Sequence, residues 1–392
     1  MNALGPLPPP TPRSPAPKLG VSFQADGQTL YDQFLERALE EGSSSEHLAY
    51  LDRGIEQSPL KSQIPRYPLR LQVFRPTQKG AESYPKAGQL PQLQEGLDYL
   101  HPSISEACVC FGGWQDGKLT ARWEGRHAID PVQMWSATKT FPMLRVTVQA
   151  AGSSPESRLE DCQLAPELPI TQAFDDIVSY RRGGSASNQH ARTLKHFDTP
   201  ENLENWLKSL TGSSQLSFRG GYGEPASHSQ PQLRDTKLDR VVLQSAGAEH
   251  KGNNLVSAYD LCRVISNLAW HPHLPEESRI GGLPKSGFST LSRALGTDSA
   301  RYVEVALEEL GVKDRVRDLV VLSKLGFGLS DQRQRWEAVY SAFVSYRDVQ
   351  SGEVHQLALA LRGNHAPEGD LSAVELDARM AASVAQILAR QL

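Results

Sequence analysis

The tetrapeptide Ser136-Ala137-Thr138-Lys139 stands at the head of a predicted helix. A serine and a lysine three residues apart on a helix share one face, so the hydroxyl and the amine lie one turn apart. Burial of such a pair lowers the lysine pKa, and a neutral amine can then accept the serine proton. The same spelling occurs at Ser58-Pro59-Leu60-Lys61 and at Ser83-Tyr84-Pro85-Lys86, but there a proline interrupts the four residues. The sequence around each tetrapeptide therefore decides between them.

Composition limits the classes of function that the chain can have. The chain has 392 residues, of which 39% are hydrophobic and 22% are charged, with a net charge of −4. These values are typical of a globular protein with one large core or two ordinary ones, and scattered basic residues give no nucleic-acid footprint. No apolar run approaches the ~20 residues of a membrane span. The proline-rich start lacks the apolar core of a secretory signal, so we predict a cytoplasmic protein.

The four cysteines, Cys108, Cys110, Cys162 and Cys262, have no spacing typical of a disulfide set or a zinc site. We expect free buried thiols, no metal and no cofactor. His271-Pro272-His273 has no nearby third ligand and is interpreted as a loop that ends a helix.

Residues 1–22 form a proline-rich leader that we expect to be disordered, and residues 23–100 an irregular extension with one short helix over Tyr31 to Glu41. Residues 101–392 form the main domain. It opens with two alternating runs around the turn Asp116-Gly117, which predict a β-hairpin. The Ser136 helix follows, and the signals are then helical from about 138 to 315.

Strand character returns after residue 317. Asp318 to Leu322 is a β-branched run, and Ala338 to Tyr346 with Gln356 to Leu361 predicts a hairpin. A closing helix has its apolar stripe at every fourth residue. The sequence therefore predicts an α+β fold, in which N-terminal and C-terminal strands share one antiparallel sheet and an all-helical lobe is inserted between them.

This order of elements over roughly residues 95–392 resembles the serine β-lactamase and penicillin-binding protein (DD-peptidase) superfamily. Three motifs meet there in a cleft: Ser-x-x-Lys, a Ser-x-Asn or Tyr-x-Asn loop, and Lys-Thr/Ser-Gly on an edge strand. The resemblance implies that Ser136 is the nucleophile and Lys139 the general base. Pro142 is discordant, since it removes a backbone donor in the second turn of the predicted helix.

For the third motif, the resemblance points to Lys324-Leu325-Gly326, which enters the strand after residue 318. Lys324 would hold a substrate carboxylate, Gly326 would let the substrate lie close, and the Phe327 amide would complete an oxyanion hole with the Ser136 amide. Leu325 replaces the hydroxyl that binds the carboxylate, so a typical penicillin is not the expected substrate. Lys285-Ser286-Gly287 spells the motif better but lies between predicted helices.

For the second motif, the resemblance points to the predicted loop 183–188, with Asn188 as the motif asparagine. Ala186 then occupies the place of the proton-carrying hydroxyl, and Ser185 or Ser187 substitutes only if the loop shifts by one residue. A glycine-serine loop without chemistry is the other interpretation. Glu249 and Asn253 have the spacing of the deacylating glutamate and its asparagine in class A β-lactamases, a spacing that also arises by chance.

These residues predict a serine hydrolase that cleaves an ester or amide through an acyl-enzyme on Ser136. Its substrate would be a small molecule or peptide-like compound. The alternative is a catalytically inactive relative that keeps the fold for binding or scaffolding. An α/β-hydrolase is disfavoured because no Gly-x-Ser-x-Gly pentapeptide occurs.

Overall fold

The structure is a computed structural model that describes residues 27–73, 82–164 and 167–392. The predicted leader, residues 1–22, lies outside the described residues. Strands in the described residues are β1 (Glu82–Ser83), β2 (Leu93–Gln94), β3 (Ile104–Gln115), β4 (Lys118–Arg126), β5 (Val132–Gln133), β6 (Cys162–Leu164), β7 (Leu168–Pro169), β8 (Ser217–Phe218), β9 (Gln232–Asp235), β10 (Arg240–Gln244), β11 (Asn254–Val256), β12 (Val316–Ser330), β13 (Arg335–Asp348) and β14 (Val354–His365).

Helices alternate with and flank these strands. They are α1 (Gly27–Glu40), α2 (Tyr67–Val73), α3 (Thr140–Ser153), α4 (Ile170–Ser179), α5 (Gly183–Lys195), α6 (Pro200–Thr211), α7 (Ala258–Trp270), α8 (Lys285–Leu295), α9 (Tyr302–Glu309) and α10 (Ser372–Ala389). The single helix predicted in the N-terminal extension is found as α1, a few residues longer at its start. Within the described ranges, no helix is both long enough and apolar enough to cross a membrane.

The main sheet joins the two ends of the main domain, as predicted. In the described part of the chain its order is β1-β4-β3-β14-β13-β12, and β2 pairs with β4 at the far edge. The pairings among β3, β4, β12, β13 and β14 are antiparallel. The helices α3 to α8 and the short strands β6 to β11 intervene between β4 and β12 in sequence. The fold is therefore the α+β arrangement expected from the sequence, with β12 at one edge of the sheet.

The sheet is buried on both faces, which explains the long apolar runs of its C-terminal strands. On β14, Ala358 and Ala360 pack in a core with α3 and α7, whereas Leu357, Leu359 and Leu361 pack in a second core with α1, α9 and α10. Such alternation follows from the two-residue period of a strand. The cores thus fix the strand register, and with it the position of β12 beside the helical lobe.

Local signals set several element boundaries. The β3–β4 turn places Asp116 and Gly117 at φ 49° and 76°, as a two-residue hairpin turn requires. Thr199 caps α6 by accepting a hydrogen bond from the Asn202 amide, and Ser257 forms a capping box with Asp260 at the start of α7. These boundaries were predictable because each depends on a few neighbouring residues.

The N-terminal extension is tied to the main domain by backbone hydrogen bonds. The Tyr50 amide donates to Asp377 Oδ2 at 3.0 Å. The Tyr50 carbonyl accepts from the Arg301 amide at 2.9 Å, and the Gly54 amide donates to the Ser299 carbonyl at 2.8 Å. The segment 50–54 is thus held against the chain that precedes α9, next to the cleft described below.

Candidate active site

Ser136 lies on a single 3-10 turn, Trp135–Lys139, that leads into α3. Trp135, immediately before the serine, has φ 46°, a left-handed conformation that is costly for a bulky residue and that recurs at functional sites. Pro142 is the third residue of α3, where backbone amides lack intrahelical acceptors. The predicted discord at Pro142 is therefore absent, because the α-helix begins one turn later than the sequence suggested.

Two glycines of β12 receive the turn that carries Ser136. A Cβ atom on Gly326 would lie 2.7 Å from Trp135 Cβ and 2.8 Å from the Ser136 amide nitrogen, and one on Gly328 would lie 2.6 Å from the Trp135 ring. The indole Nε1 of Trp135 donates to Glu337 Oε2 at 2.7 Å. The backbone of Trp135 and Ser136 thus lies against the edge strand at a distance that only glycine permits.

Gly326→Ala is expected to destabilise the protein by ~1–3 kcal/mol, because the atoms it would meet belong to backbone and Cβ positions that cannot rotate away. Chemical denaturation measures this change. Gly152→Ala on the exposed side of α3 is the matched control, since a Cβ there meets nothing within 4 Å. That substitution should stabilise by ~0.5–1 kcal/mol. Equal effects of the two substitutions would contradict the close approach at Gly326.

Lys139 is completely buried and directed toward α5. Its Nζ donates to Asn188 Oδ1 at 2.6 Å and to Ser187 Oγ at 2.9 Å. It has no ion-pair partner among the described residues. Burial holds the pKa of Lys139 well below its usual range, and the nearby Lys324 lowers it further. A lysine in this setting is stabilised in its neutral form, which is the form that can accept a proton.

The segment predicted as a loop at 183–188 is the first part of helix α5, and the loop prediction is wrong. Glycine and serine have weak helix propensity, but tertiary contacts of α5 with α3 and α4 override it. Ser187 is completely buried and donates to the Ile177 carbonyl at 2.8 Å, while Ser185 is exposed. The structure brings Ser187 and Asn188 to Lys139, but the Ser187 hydroxyl already makes two hydrogen bonds, one with Lys139 and one with the Ile177 carbonyl.

Lys324 is also completely buried, on β12 beside the serine turn. Its Nζ donates to Tyr180 Oη at 2.7 Å and to the Leu325 carbonyl at 3.0 Å, and lies 3.9 Å from the centre of the Tyr180 ring. Burial lowers the pKa of Lys324 to about 7, and the buried carboxyl of Asp298 opposes this shift. The competing motif Lys285-Ser286-Gly287 lies instead at the start of α8 with Lys285 exposed.

Tyr180 was missed by the sequence analysis. It caps the C-terminus of α4 in a left-handed conformation, φ 56°. Its hydroxyl receives the Lys324 hydrogen bond and lies within hydrogen-bonding reach of the Ser136 side chain. Burial raises the pKa of Tyr180, and the contact with Ser136 opposes this rise. A hydroxyl therefore reaches Ser136 from Tyr180, although Ala186 has none.

A cleft of about 520 Å³ opens above these groups. The residues that line it come from the serine turn, β12, the ends of α4 and α5, the strands before α7, and the N-terminal extension. They are Leu51, Asp52, Gln133, Trp135, Ser136, Tyr180, Gly184, Asn188, Gly221, Tyr222, Gly223, Asn254, Ser299, Leu325 and Phe327. Phe327 stacks on Trp336 with ring centres 5.2 Å apart.

Glu249 does not join the cleft. Its side chain is 71% exposed and pairs with Lys251 in the segment before β11. Asn254, one residue beyond the predicted Asn253, reaches the cleft and donates from Nδ2 to the Gly221 carbonyl. The prediction of a glutamate at the site is wrong because the spacing matched in sequence while the loop turns the carboxylate outward.

The cysteines and histidines give no sign of a metal centre in the described ranges, where no group of three or more His, Cys, Asp or Glu is suited to a metal. The four cysteines are free and buried. His273 Nε2 contacts the Leu71 carbonyl, and burial lowers the pKa of His271 to about 4. These groups have roles in packing.

No family model matches the chain, and no curated protein matches it. Solved structures do. One is a β-lactamase from Chitinophaga pinensis, at 12% identity and a TM-score of 0.44, covering 72% of this chain and 93% of that one. A second is a class A β-lactamase from Mycobacterium abscessus, at 15% identity and a TM-score of 0.44, covering 73% and 95%.

A third is a β-lactamase from Desulfarculus baarsii, at 15% identity and a TM-score of 0.42, covering 74% and 93%. All three are β-lactamases. They are of the superfamily that the three motifs resemble. At such identities and TM-scores the similarity carries no argument about activity, and the proposal below rests on the side chains around Ser136.

Proposed function

We propose that this protein is a serine hydrolase that cleaves an ester or amide through an acyl-enzyme on Ser136. The observation that carries the proposal is the Tyr180 hydroxyl, which accepts a hydrogen bond from the buried Lys324 amine and lies within hydrogen-bonding reach of Ser136 in the cleft. Lys139 and Lys324 have lowered pKa values for a physical reason, burial, and Tyr180 bridges Lys324 to Ser136. Perturbed titratable groups gathered in a cleft are typical of catalytic sites.

In the proposed acylation, protons move from Ser136 to Lys139 and from Tyr180 to the leaving group. Ser136 Oγ attacks the acyl carbon while its proton passes to neutral Lys139 Nζ. Amides of Ser136 and Phe327 hold the negative charge that develops on the carbonyl oxygen. When the bond to the leaving group breaks, Tyr180 Oη gives that group a proton and recovers one from Lys324 Nζ. Water then hydrolyses the acyl-enzyme, with the same groups acting in reverse.

The cleft does not favour a typical penicillin. Leu325 presents no hydroxyl for a substrate carboxylate, and no glutamate is among the described residues that line the cleft. A carboxylate to activate the deacylating water is therefore missing from the place where Glu249 was expected. An ester or amide without a carboxylate beside the scissile bond is the better substrate class.

Labelling with a fluorophosphonate probe, followed by peptide mapping of the adduct, tests this proposal. We expect a covalent adduct on Ser136 that Ser136→Ala abolishes. Ser185→Ala removes an exposed hydroxyl of the same lobe and should label like the unmodified protein. If no acylating probe modifies Ser136, or if the adduct persists in Ser136→Ala, the catalytic proposal is wrong. The inactive scaffold is then the remaining interpretation.

A further inference from the structure

We propose that the cleft selects substrates that carry a cationic group, and that the carboxylate of Asp52 in the N-terminal extension binds this group. This inference rests on the proposed function for its biological meaning, since it names the substrate class of the same site. It depends, however, on the charge and position of one wall of the cleft, which can be tested without any catalysis.

The position of Asp52 is fixed by the fold. It lies in the segment 50–54, whose backbone is hydrogen-bonded to Asp377, Arg301 and Ser299. Oδ2 of Asp52 accepts a hydrogen bond from the Leu48 amide at 2.9 Å. A side chain held at both backbone and carboxylate is preorganised, so a ligand need not order it on binding.

The free part of this carboxylate faces the cleft. Asp52 lines the cleft together with Leu51 and Ser299. Its second oxygen, Oδ1, has no hydrogen-bond partner among the described residues, and its carboxylate is in no ion pair with them. The Asp52 side chain is exposed to solvent; partial desolvation raises the pKa of its carboxylate, and the charge of nearby His47 opposes this rise. A cationic substrate group would supply the missing partner.

The other charged groups around the cleft also favour a cationic substrate over an anionic one. Of the described residues that line it, Asp52 alone carries a charged side chain. Lys139 below is stabilised as the neutral amine, and Lys324 is engaged by Tyr180 and backed by the buried Asp298. Among the described residues that line the cleft, an anionic substrate group would therefore meet the Asp52 carboxylate and no cationic side chain.

Apolar and aromatic side chains complete this wall. Leu51, Leu325, Tyr180 and Tyr222 line the cleft together with Asp52. Such apolar and aromatic surface suits the hydrocarbon part of an amine. The expected ligand is an ester or amide with an ammonium or guanidinium group joined to an apolar body.

Binding to Ser136→Ala protein tests this inference apart from turnover, because this variant cannot be acylated. Three matched probes are compared by isothermal titration or by NMR shifts: 2-phenylethylammonium, 2-phenylethanol and phenylacetate. We expect the ammonium to bind about 3–5-fold tighter than the alcohol, because an exposed ion pair contributes up to ~1 kcal/mol. Phenylacetate should bind most weakly.

The decisive comparison adds Asp52→Asn, which keeps the shape and removes the charge. In that variant the ammonium and the alcohol should bind within about 2-fold of each other. Asp32→Asn on exposed α1 is the control and should keep the preference. A preference for phenylacetate, equal binding of all three probes, or an ammonium preference that survives Asp52→Asn overturns the inference. None of these outcomes depends on whether Ser136 is acylated. The proposed function is therefore tested by the labelling experiment alone.

Discussion

Lys139→Met is expected to lower the rate of fluorophosphonate labelling of Ser136 by ~10²–10⁴-fold, the usual contribution of a general base. Methionine matches the length of lysine without an amine, so the serine proton has no acceptor. The same variant should be at least as stable as the unmodified protein. Lys139 is buried without an ion pair, and its desolvation opposes folding. Labelling kinetics and thermal unfolding measure the two effects.

The control for this substitution is Lys251→Met, at a lysine that is 77% exposed. It replaces an amine at the surface by the same side chain and should change neither the labelling rate nor the Tm. If Lys139→Met labels at the unmodified rate, Lys139 is not the base. If its Tm falls below that of the unmodified protein, the two hydrogen bonds to Ser187 and Asn188 outweigh the desolvation of the amine, and the stability argument fails.

When replacing a residue stabilises the protein but abolishes its activity, that residue has been retained for function at the expense of stability. Three features near Ser136 are unfavourable for folding. Trp135 is held at φ 46°, and the amines of Lys139, in the helical lobe, and of Lys324, on strand β12, are both buried. Each is unfavourable alone, and together they lie around one hydroxyl.

The sequence predicted the elements whose causes are local. The β3–β4 hairpin and the closing helix follow from residues within one turn of each other. The edge position of Lys324 was expected from the resemblance to the β-lactamase and DD-peptidase superfamily. The order of the elements predicted that both ends of the main domain share one sheet.

The rest depended on contacts between distant segments. Residues 183–188 form a helix because α5 packs on α4 and Lys139 binds Asn188, contacts that no local pattern encodes. Tyr180 precedes Asn188 by eight residues, so a Tyr-x-Asn spacing could not reveal it. A tyrosine followed directly by Arg-Arg-Gly-Gly was the available signal. Asp52 belongs to an extension without a motif, and only the hydrogen bonds of segment 50–54 bring it to the cleft.

Tyr180→Phe provides the sharpest test of how the site handles the leaving group. If Tyr180 protonates that group, the variant should lose ~10²–10³-fold in kcat/KM with p-nitroacetanilide, whose amine leaves only when protonated. With p-nitrophenyl acetate, whose phenolate leaves readily without a proton, the loss should be within about 10-fold. Fluorophosphonate labelling should also persist, because fluoride needs no proton to leave. Both rates are read from the release of the chromogenic product.

The matched control is Tyr222→Phe, which removes a second buried hydroxyl of the same cleft, one that accepts from Thr138 Oγ1 at 3.3 Å and makes no contact with Lys324. It should affect both substrates alike and by little. A purely structural role for Tyr180 predicts equal losses with the anilide and the ester, since a displaced Ser136 attacks both carbonyls poorly. Equal losses would therefore reject proton donation by Tyr180. A loss confined to the anilide supports it, because only a missing proton distinguishes the two leaving groups.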